Sequence, residues 1–464
     1  MPGNVRGGPG PTIAIIGAGF SGVATAARLL AEARGPARIV MVNRSGPSAR
    51  GVAYGTRTEG HVLNVPTSRM SAFPEDDEDF LRFAAGRIDG VTGGSFLPRS
   101  LYGAYLDHVL SRAAASAPRA VLETEVGEVV AIETDGAGHR LRFADGRGIT
   151  ADFVVLAVGN YPPTDPAFVD GDFARSEQYV GDPWTSGALD RIGSGERVLL
   201  IGTGLTMLDV AIAVGGRAGR MTAVSRRGVV ATAHRDPGLP PAGDHLPPAL
   251  LTGNATAVDY IRAVRRHVKL TTVRGGDWRD VVGALRPITP ALWQRLPERE
   301  RGRFLRHLRP YWDAHRHRAA PATVRALDAL RAGRRLDVLA GRVLGIERSA
   351  DGLAAKIRRR GGGEDPVAFD RLVNCTGPAS RLALVHDPLI QSLLATRSIR
   401  PDPWELGLET SASLEVLDGD GVPAEWLFYI GPLLRAQHWE ATAVPELRVH
   451  ARTLVRTVAR RAGL

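Results

Sequence analysis

Thr12-Ile13-Ala14-Ile15-Ile16 runs directly into Gly17-Ala18-Gly19-Phe20-Ser21-Gly22, and this junction decides the fold. A short apolar strand meets three glycines at the spacing G-x-G-x-x-G, and a helix of small and branched residues follows through Leu30. A second apolar strand, Arg38–Val42, comes next, completing the β-α-β unit of a doubly wound sheet. Gly17 permits the tight turn, Gly19 lets the backbone approach a pyrophosphate, and Gly22 lets helix and strand pack closely. Phe20 and Ser21 complete the cradle at the helix N-terminus, whose N–H groups and dipole favour phosphate. The motif calls for an acidic residue about 20 positions on, to hold a ribose. Asn43 stands there instead, and its amide can still hydrogen-bond a hydroxyl. The competing reading is a glycine turn with no ligand.

Working outward, the same pattern recurs mid-chain. Arg197–Ile201 leads into Gly202-Thr203-Gly204, then into a helix opened by Leu205 and Thr206 and extending to about Ala213. Met207 occupies the third glycine position. The next strand, Met221–Val224, ends at Ser225-Arg226-Arg227. An arginine pair there can engage a 2′-phosphate bidentately, where an acidic residue would repel it, so NADPH is expected rather than NADH. A solvated basic turn in an arginine-rich protein is the alternative. The duplication extends further: Gly127–Glu133, just after Val126, is echoed by Gly341–Glu347. Each is followed by a hairpin, turning near Asp145-Gly146 and at Gly361–Gly363, and by an apolar return strand that ends in glycine, Phe153–Gly159 and Leu372–Gly377. Two such units argue for two nucleotides.

With 464 residues, two or three domains are expected. The expected fold is α/β, with two Rossmann-like dinucleotide-binding domains. The first covers 1–190, the second 191–377 with a helical insertion at 246–332, and 378–464 returns to the first. Pro310 should kink or break the helical run around Arg303–Arg318. Trp426–Ile430 reads as a strand and Pro445 onward as a C-terminal helix. Residues 1–10 read as a disordered leader. No apolar run approaches the roughly 20 residues needed to cross a bilayer, and a secretory signal pattern is absent, so a cytoplasmic protein without a membrane partner is expected. The single cysteine, Cys375, excludes internal disulfides and redox-active cysteine pairs, and reads as a small buried hydrophobe. The net charge of +10 is almost all arginine, lysine occurring only at Lys269 and Lys356, so it reads as a compositional bias suited to anionic ligands and not as a nucleic-acid surface. His307, His315 and His317 share one helical segment without the carboxylates a metal site would need, and read as surface or interface residues; no metal is expected.

More specific stretches are Gly51-Val52-Ala53-Tyr54-Gly55-Thr56, His61-Val62-Leu63-Asn64-Val65-Pro66 and Arg69-Met70-Ser71. To these are added Gly202 through Asp209 and the closing His438-Trp439-Glu440 to Ala443-Val444-Pro445-Glu446-Leu447-Arg448. Together they resemble the FAD/NAD(P)-binding flavoproteins related to class B-like flavin-dependent monooxygenases, including urate hydroxylases and amino-acid N-oxygenases. The resemblance runs over nearly the whole chain. It implies FAD in the first domain and NADPH in the second, with Gly431, Glu440 and Thr442-Ala443-Val444 near the flavin. Asn64 matches an asparagine that hydrogen-bonds the reactive edge of the ring, an ordinary turn asparagine before Val65-Pro66 being the alternative. Arg69 and Arg99 are candidate anion-binding groups, although a structural salt bridge suits Arg99 better. Trp439 either lines the substrate side or belongs to the core.

There are departures. The motif F-x-G-x-x-x-H-x-x-x-W of class B monooxygenases would fall at Phe173–Trp184, but Arg175 replaces its glycine, Tyr179 its histidine, and the tryptophan comes one residue late. That speaks against Baeyer–Villiger chemistry and leaves heteroatom or carbon hydroxylation open. Ile430-Gly431 is followed by Pro432 where many FAD enzymes place an aspartate. The resemblance implies an NADPH-consuming enzyme that transfers oxygen from a C4a-hydroperoxyflavin to a small polar substrate, an amino acid or a purine-like heterocycle. The alternatives are an NADPH-dependent reductase or oxidase without oxygen insertion, and a non-catalytic flavin-bound regulatory protein.

Overall fold

The computed structural model describes residues 10–44, 50–56, 58, 60–136, 138–235, 245–349 and 352–464. Apart from Gly10, the expected leader lies outside them. Ile13–Ile16 and Val198–Ile201 are almost wholly buried, as uninterrupted apolar strands must be when helices cover both faces of a parallel sheet. Each strand sits centrally in its own sheet. The first sheet has six strands in the order Glu415–Leu417, Pro423–Tyr429, Phe153–Leu156, Thr12–Ile16, Ala37–Asn43 and Ala120–Val126. All neighbours run parallel except the first pair. The second has seven: Glu364–Phe369, Gly352–Arg359, Leu336–Ser349, Met221–Ser225, Val198–Ile201, Arg371–Asn374 and Tyr179–Val180.

The two units repeat one plan. In the first, Val129–Asp135, Gly138–Phe143 and Gly148–Ala151 form a separate antiparallel sheet before the chain returns along Phe153–Leu156. In the second, Leu336–Ser349 does the work of two strands, pairing parallel with Met221–Ser225 and then antiparallel with Gly352–Arg359. Gly127-Glu128 breaks the corresponding run in the first unit. The crossing between units comes ahead of the boundary expected at 191, because Tyr179–Val180 already pairs with Arg371–Asn374 in the second sheet. The outgoing and returning connections touch at Tyr161 and Ala379.

Helix Phe20–Glu32 is buried from Phe20 to Leu30, packed by helices Arg99–Ser116 and Val444–Ala462. Fully buried side chains such as Val23 and Leu30 contribute about 1.5–3 kcal/mol each. The insertion runs as helices from Ala249 to Ala332, between Met221–Ser225 and Leu336–Ser349. Near the expected break, Phe304–Leu308 winds as a π-helical turn and Pro310 sits in the first turn of Arg309–Arg316. Proline has no N–H to give the carbonyl four residues back. That carbonyl, of Arg306, accepts from Arg227 Nη2 at 3.3 Å, so this irregular turn ties the insertion to the arginine turn after Met221–Ser225.

Gly17 has φ +114°, and a β-carbon there would lie 2.2 Å from the carbonyl oxygen of Ala157. Gly17→Ala should therefore cost about 3–5 kcal/mol, from backbone strain plus a clash with main chain that cannot swing aside. Urea unfolding checks this, the same substitution at open Gly204 serving as control.

Candidate dinucleotide sites and the cleft between them

The two glycine turns share their backbone dihedrals. Gly202 has the same φ of +114°, and its β-carbon would lie 2.3 Å from the Cys375 carbonyl oxygen. The helix-capping glycines match as well: Gly19 has φ −83°, ψ −167° and Gly204 φ −83°, ψ −166°, neither helix being capped by a side chain. Uncapped N–H groups beside a glycine with no β-carbon form a phosphate cradle. Gly22 is required, since a β-carbon would lie 1.9 Å from Gly17 O; in the second unit Met207 is instead buried in that unit's core. Phe20 and Ser21 are buried at the head of the first helix, and Leu205 and Thr206 are half-buried at the head of the second. Gly159 and Gly377, after the two return strands, both take left-handed φ, +72° and +89°, with open space around them. Asn43 and Val126 end neighbouring strands in register, and Gly127 N–H donates to Asn43 O at 3.1 Å. Cys375 is buried just past the end of its strand, which pushes its thiol pKa up.

At the turn after Met221–Ser225 the three expected residues separate. Ser225 Oγ accepts from Gly228 N–H at 3.0 Å and shares a 2.8 Å hydrogen bond with Thr203, so its hydroxyl braces the loop. Arg226 is exposed, and the guanidinium of Arg227 lies 5.3 Å from the ring centre of Tyr311 on the insertion. Neither arginine has a carboxylate partner among the described residues.

Between the units, two histidines make reciprocal bonds. His61 of the first unit lies 3.2 Å from the Asp209 carbonyl of the second, and its Nδ1 is 2.8 Å from Thr56 Oγ1. His234 of the second lies 2.9 Å from the Asn64 carbonyl of the first. A carbonyl only accepts, so each Nε2 carries the proton. Burial lowers both pKa values; His234 is pushed down to about 3, with the charge of Arg318 the next cause. Both rings are neutral near pH 7. Asn64 therefore sits in the cleft with its backbone anchored across the interface, while its side-chain amide has no intramolecular partner among the described residues. Arg99 belongs to this interface: it pairs with Asp209 at 2.7 Å and lies 5.7 Å from the ring centre of Trp184.

The insertion closes the cleft from the side of the C-terminal helix. Trp293 Nε1 donates to Ala436 O at 2.9 Å, and Arg286 binds Glu446 through Nη2 at 2.6 Å. Glu440 turns towards the insertion. Only 1% exposed, it accepts from Trp312 Nε1 at 3.1 Å through Oε1, and its Oε2 lies 2.8 Å from Arg316 Nη2. Trp439 packs in an aromatic cluster with Trp293 and Phe304, which makes it core. Gly431 has φ +153°, and Tyr429 Oη accepts from Leu433 N–H beside it. Thr442 and Ala443 lead into Val444–Ala462, whose N-terminus again has no side-chain cap. Arg69, with an exposed side chain, lies within electrostatic reach of Arg286 and Glu446. His315 is exposed against Trp278, and half-buried His317 lies 3.7 Å from Asp313. Sequence reasoning does not single out His234, Arg316 or Arg318; for the two arginines the run His315-Arg316-His317-Arg318 is a signal that does not say which members face inward, and His234 carries none.

Residues 14–161 match the family described as FAD-NAD(P)-binding. No curated protein matches the chain by sequence. Among solved structures, ornithine hydroxylase PvdA from Pseudomonas aeruginosa aligns with TM-score 0.64 at 14% identity, over 98% of this chain and 100% of that one. FAD-bound DfoA, a cadaverine monooxygenase from Erwinia amylovora, gives 0.61 at 13% identity over 98% and 95% of the two chains. L-lysine 6-monooxygenase from Pseudomonas syringae gives 0.61 at 17% over 97% and 99%. At such identities the likeness shows a shared fold, the two-unit Rossmann-like architecture.

Because the folded His234 pKa is depressed, the unfolded chain binds more protons as pH falls from about 6.5 towards 3, and stability is lost over that window. One such group contributes at most about 1.4 kcal/mol per pH unit. His234→Gln, which retains a donor, should unfold with a shallower acid dependence than the parent in urea titrations at pH 7, 6 and 5. Parallel curves would show that His234 titrates normally.

Proposed function

We propose that the chain is an FAD-dependent, NADPH-consuming monooxygenase acting on a small polar substrate. The observation that carries this reading is the duplication of one phosphate-binding turn, Gly17–Gly22 and Gly202–Thr206, in units joined along a common cleft. The match of residues 14–161 to an FAD-NAD(P)-binding family supports FAD in the first unit. The fit is good on structural grounds: open glycine cradles, uncapped helix N-termini, and no carboxylate at Arg226 or Arg227 among the described residues.

In this reading Gly17, Gly19, Phe20, Ser21 and Gly22 hold the FAD pyrophosphate, and Asn43 with Val126 border the adenosine. Gly431 and Thr442–Val444 border the flavin, where the dipole of the long C-terminal helix favours negative charge. Gly202, Gly204, Leu205 and Thr206 hold the second pyrophosphate, and Arg226 and Arg227 face the 2′-phosphate. Bound FAD supplies the redox chemistry and the activation of molecular oxygen. The chain's own residues position and exclude water. Asn64 offers a side-chain amide to the ring edge, and His234 keeps its backbone from moving. The insertion, anchored through Glu440 and Glu446, covers the cleft and excludes solvent.

The deciding experiment mixes NADPH-reduced protein with oxygenated buffer and compares product, peroxide and NADPH consumed. Oxygen recovered in an added substrate supports the monooxygenase. Peroxide equal to NADPH with every substrate tried would point to an oxidase or reductase, and failure of NADPH to reduce the flavin would refute both. Replacing Arg226 and Arg227 together by Ala should raise KM for NADPH about tenfold or more while KM for NADH changes little. Equal changes would remove the 2′-phosphate role.

A further inference from the structure

The walls of the cleft carry an imbalance of charge. From the insertion, Arg279, Arg286, Arg316 and Arg318 converge on the region where the first unit contributes Arg69 and Arg448. Four of the six have carboxylates: Arg279 with Asp277 at 3.0 Å, Arg286 with Glu446, Arg316 with Glu440 at 2.8 Å, and Arg448 with Asp77 at 2.6 Å. Arg69 and Arg318 have no carboxylate partner among the described residues. The polar contact of Arg318 is Nη1 to the Arg279 carbonyl, at a long 3.5 Å. Its Nε is buried without an acceptor among the described residues, as is the Nε of Arg316, a side chain only 10% exposed.

These groups share one place. Ala233 and Ala319 form a backbone bridge, and His234 N–H donates to Ala319 O at 2.9 Å, which sets Arg318 beside the histidine that anchors Asn64. The charges of Arg318, Arg316 and Arg69 all act on the His234 ring. The Arg318 guanidinium itself is pushed down to about 10, by burial first and then by Arg316, Arg279 and Arg69. Half-buried Arg318 carries its charge with a buried Nε that has no acceptor among the described residues, which is costly, while exposed Arg69 stays hydrated; an anion that reaches both relieves the buried charge.

We propose that this cleft takes a small organic dianion as substrate, held by the two guanidiniums that lack carboxylate partners, Arg69 and Arg318. The inference rests on the monooxygenase reading of the same cleft. The structural neighbours are named for ornithine, cadaverine and L-lysine, each of which carries a basic amine. In this protein an ammonium entering beside Arg69, Arg316 and Arg318 meets repulsion, while a carboxylate, which ornithine and lysine also carry, is attracted, so the arginines favour a second anionic group where those molecules have their side-chain amine.

The test is titration of the oxidised, flavin-loaded protein with succinate, inorganic phosphate or cadaverine, following the flavin difference spectrum and the heat of binding. Succinate or phosphate should bind, the stronger of the two telling a dicarboxylate from a phosphomonoester, and cadaverine should not. Arg318→Gln and, separately, Arg69→Gln should each weaken the anion at least tenfold at unchanged flavin content, with Arg318→Lys recovering part of the loss. Cadaverine binding in preference to both anions, or anion binding untouched by either substitution, would overturn the proposal. So would loss of flavin from both variants, which would assign the arginines to the cofactor. A parent protein that holds no flavin, or whose flavin NADPH does not reduce, fails the underlying reading instead. A flavin that NADPH reduces, in a protein that selects cadaverine, fails this inference alone.

Discussion

In both units a return strand carries a carbonyl oxygen into the space a β-carbon would fill, Ala157 over Gly17 and Cys375 over Gly202. The rest of the structure depends on that contact. It lets the return strand lie directly beside the first strand of its unit, in register, so that the glycine turn emerges at the carboxyl edge of the sheet. Helix N-termini then point into the crevice at the topological switch point, where open α/β sheets place their ligands. A single methyl group would separate the strands, and the cradle would lose its shape with them.

The second constraint is the interface. His61 and His234 each donate from a neutral ring to a carbonyl of the opposite unit, and the half-buried Arg99–Asp209 pair lies beside them. Polar bonds of this kind are directional, so they hold the units in one relation where apolar packing would tolerate sliding. The insertion adds ion pairs at Glu440 and Glu446, next to the start of the C-terminal helix. Removing either carboxylate would leave a guanidinium stranded in a dry setting.

The insertion also joins sites that would otherwise be independent. Pro310 leaves the Arg306 carbonyl to Arg227, at the turn after Met221–Ser225, while a few residues on Arg316 and Arg318 approach His234 and Glu440. One stretch of the insertion thus touches the arginine turn of the second unit and the region around Asn64.

The doubled strand-glycine-helix pattern, the helical insertion, the helical irregularity near Pro310 and the burial of Cys375 were legible in the sequence. Each depends on neighbours close along the chain: periodicity, a missing N–H, a residue that tolerates positive φ. The commitment of Glu440 to Trp312 and Arg316 was not legible, nor was the division of labour between Ser225, Arg226 and Arg227. His234 carries no local signature, since its partner Asn64 lies 170 residues away. Local geometry is written in the order of residues, so sequence alone determined the two nucleotide folds. Which charges meet across the cleft, and which are left without partners, depends on how separate elements dock, and only the tertiary structure decided that.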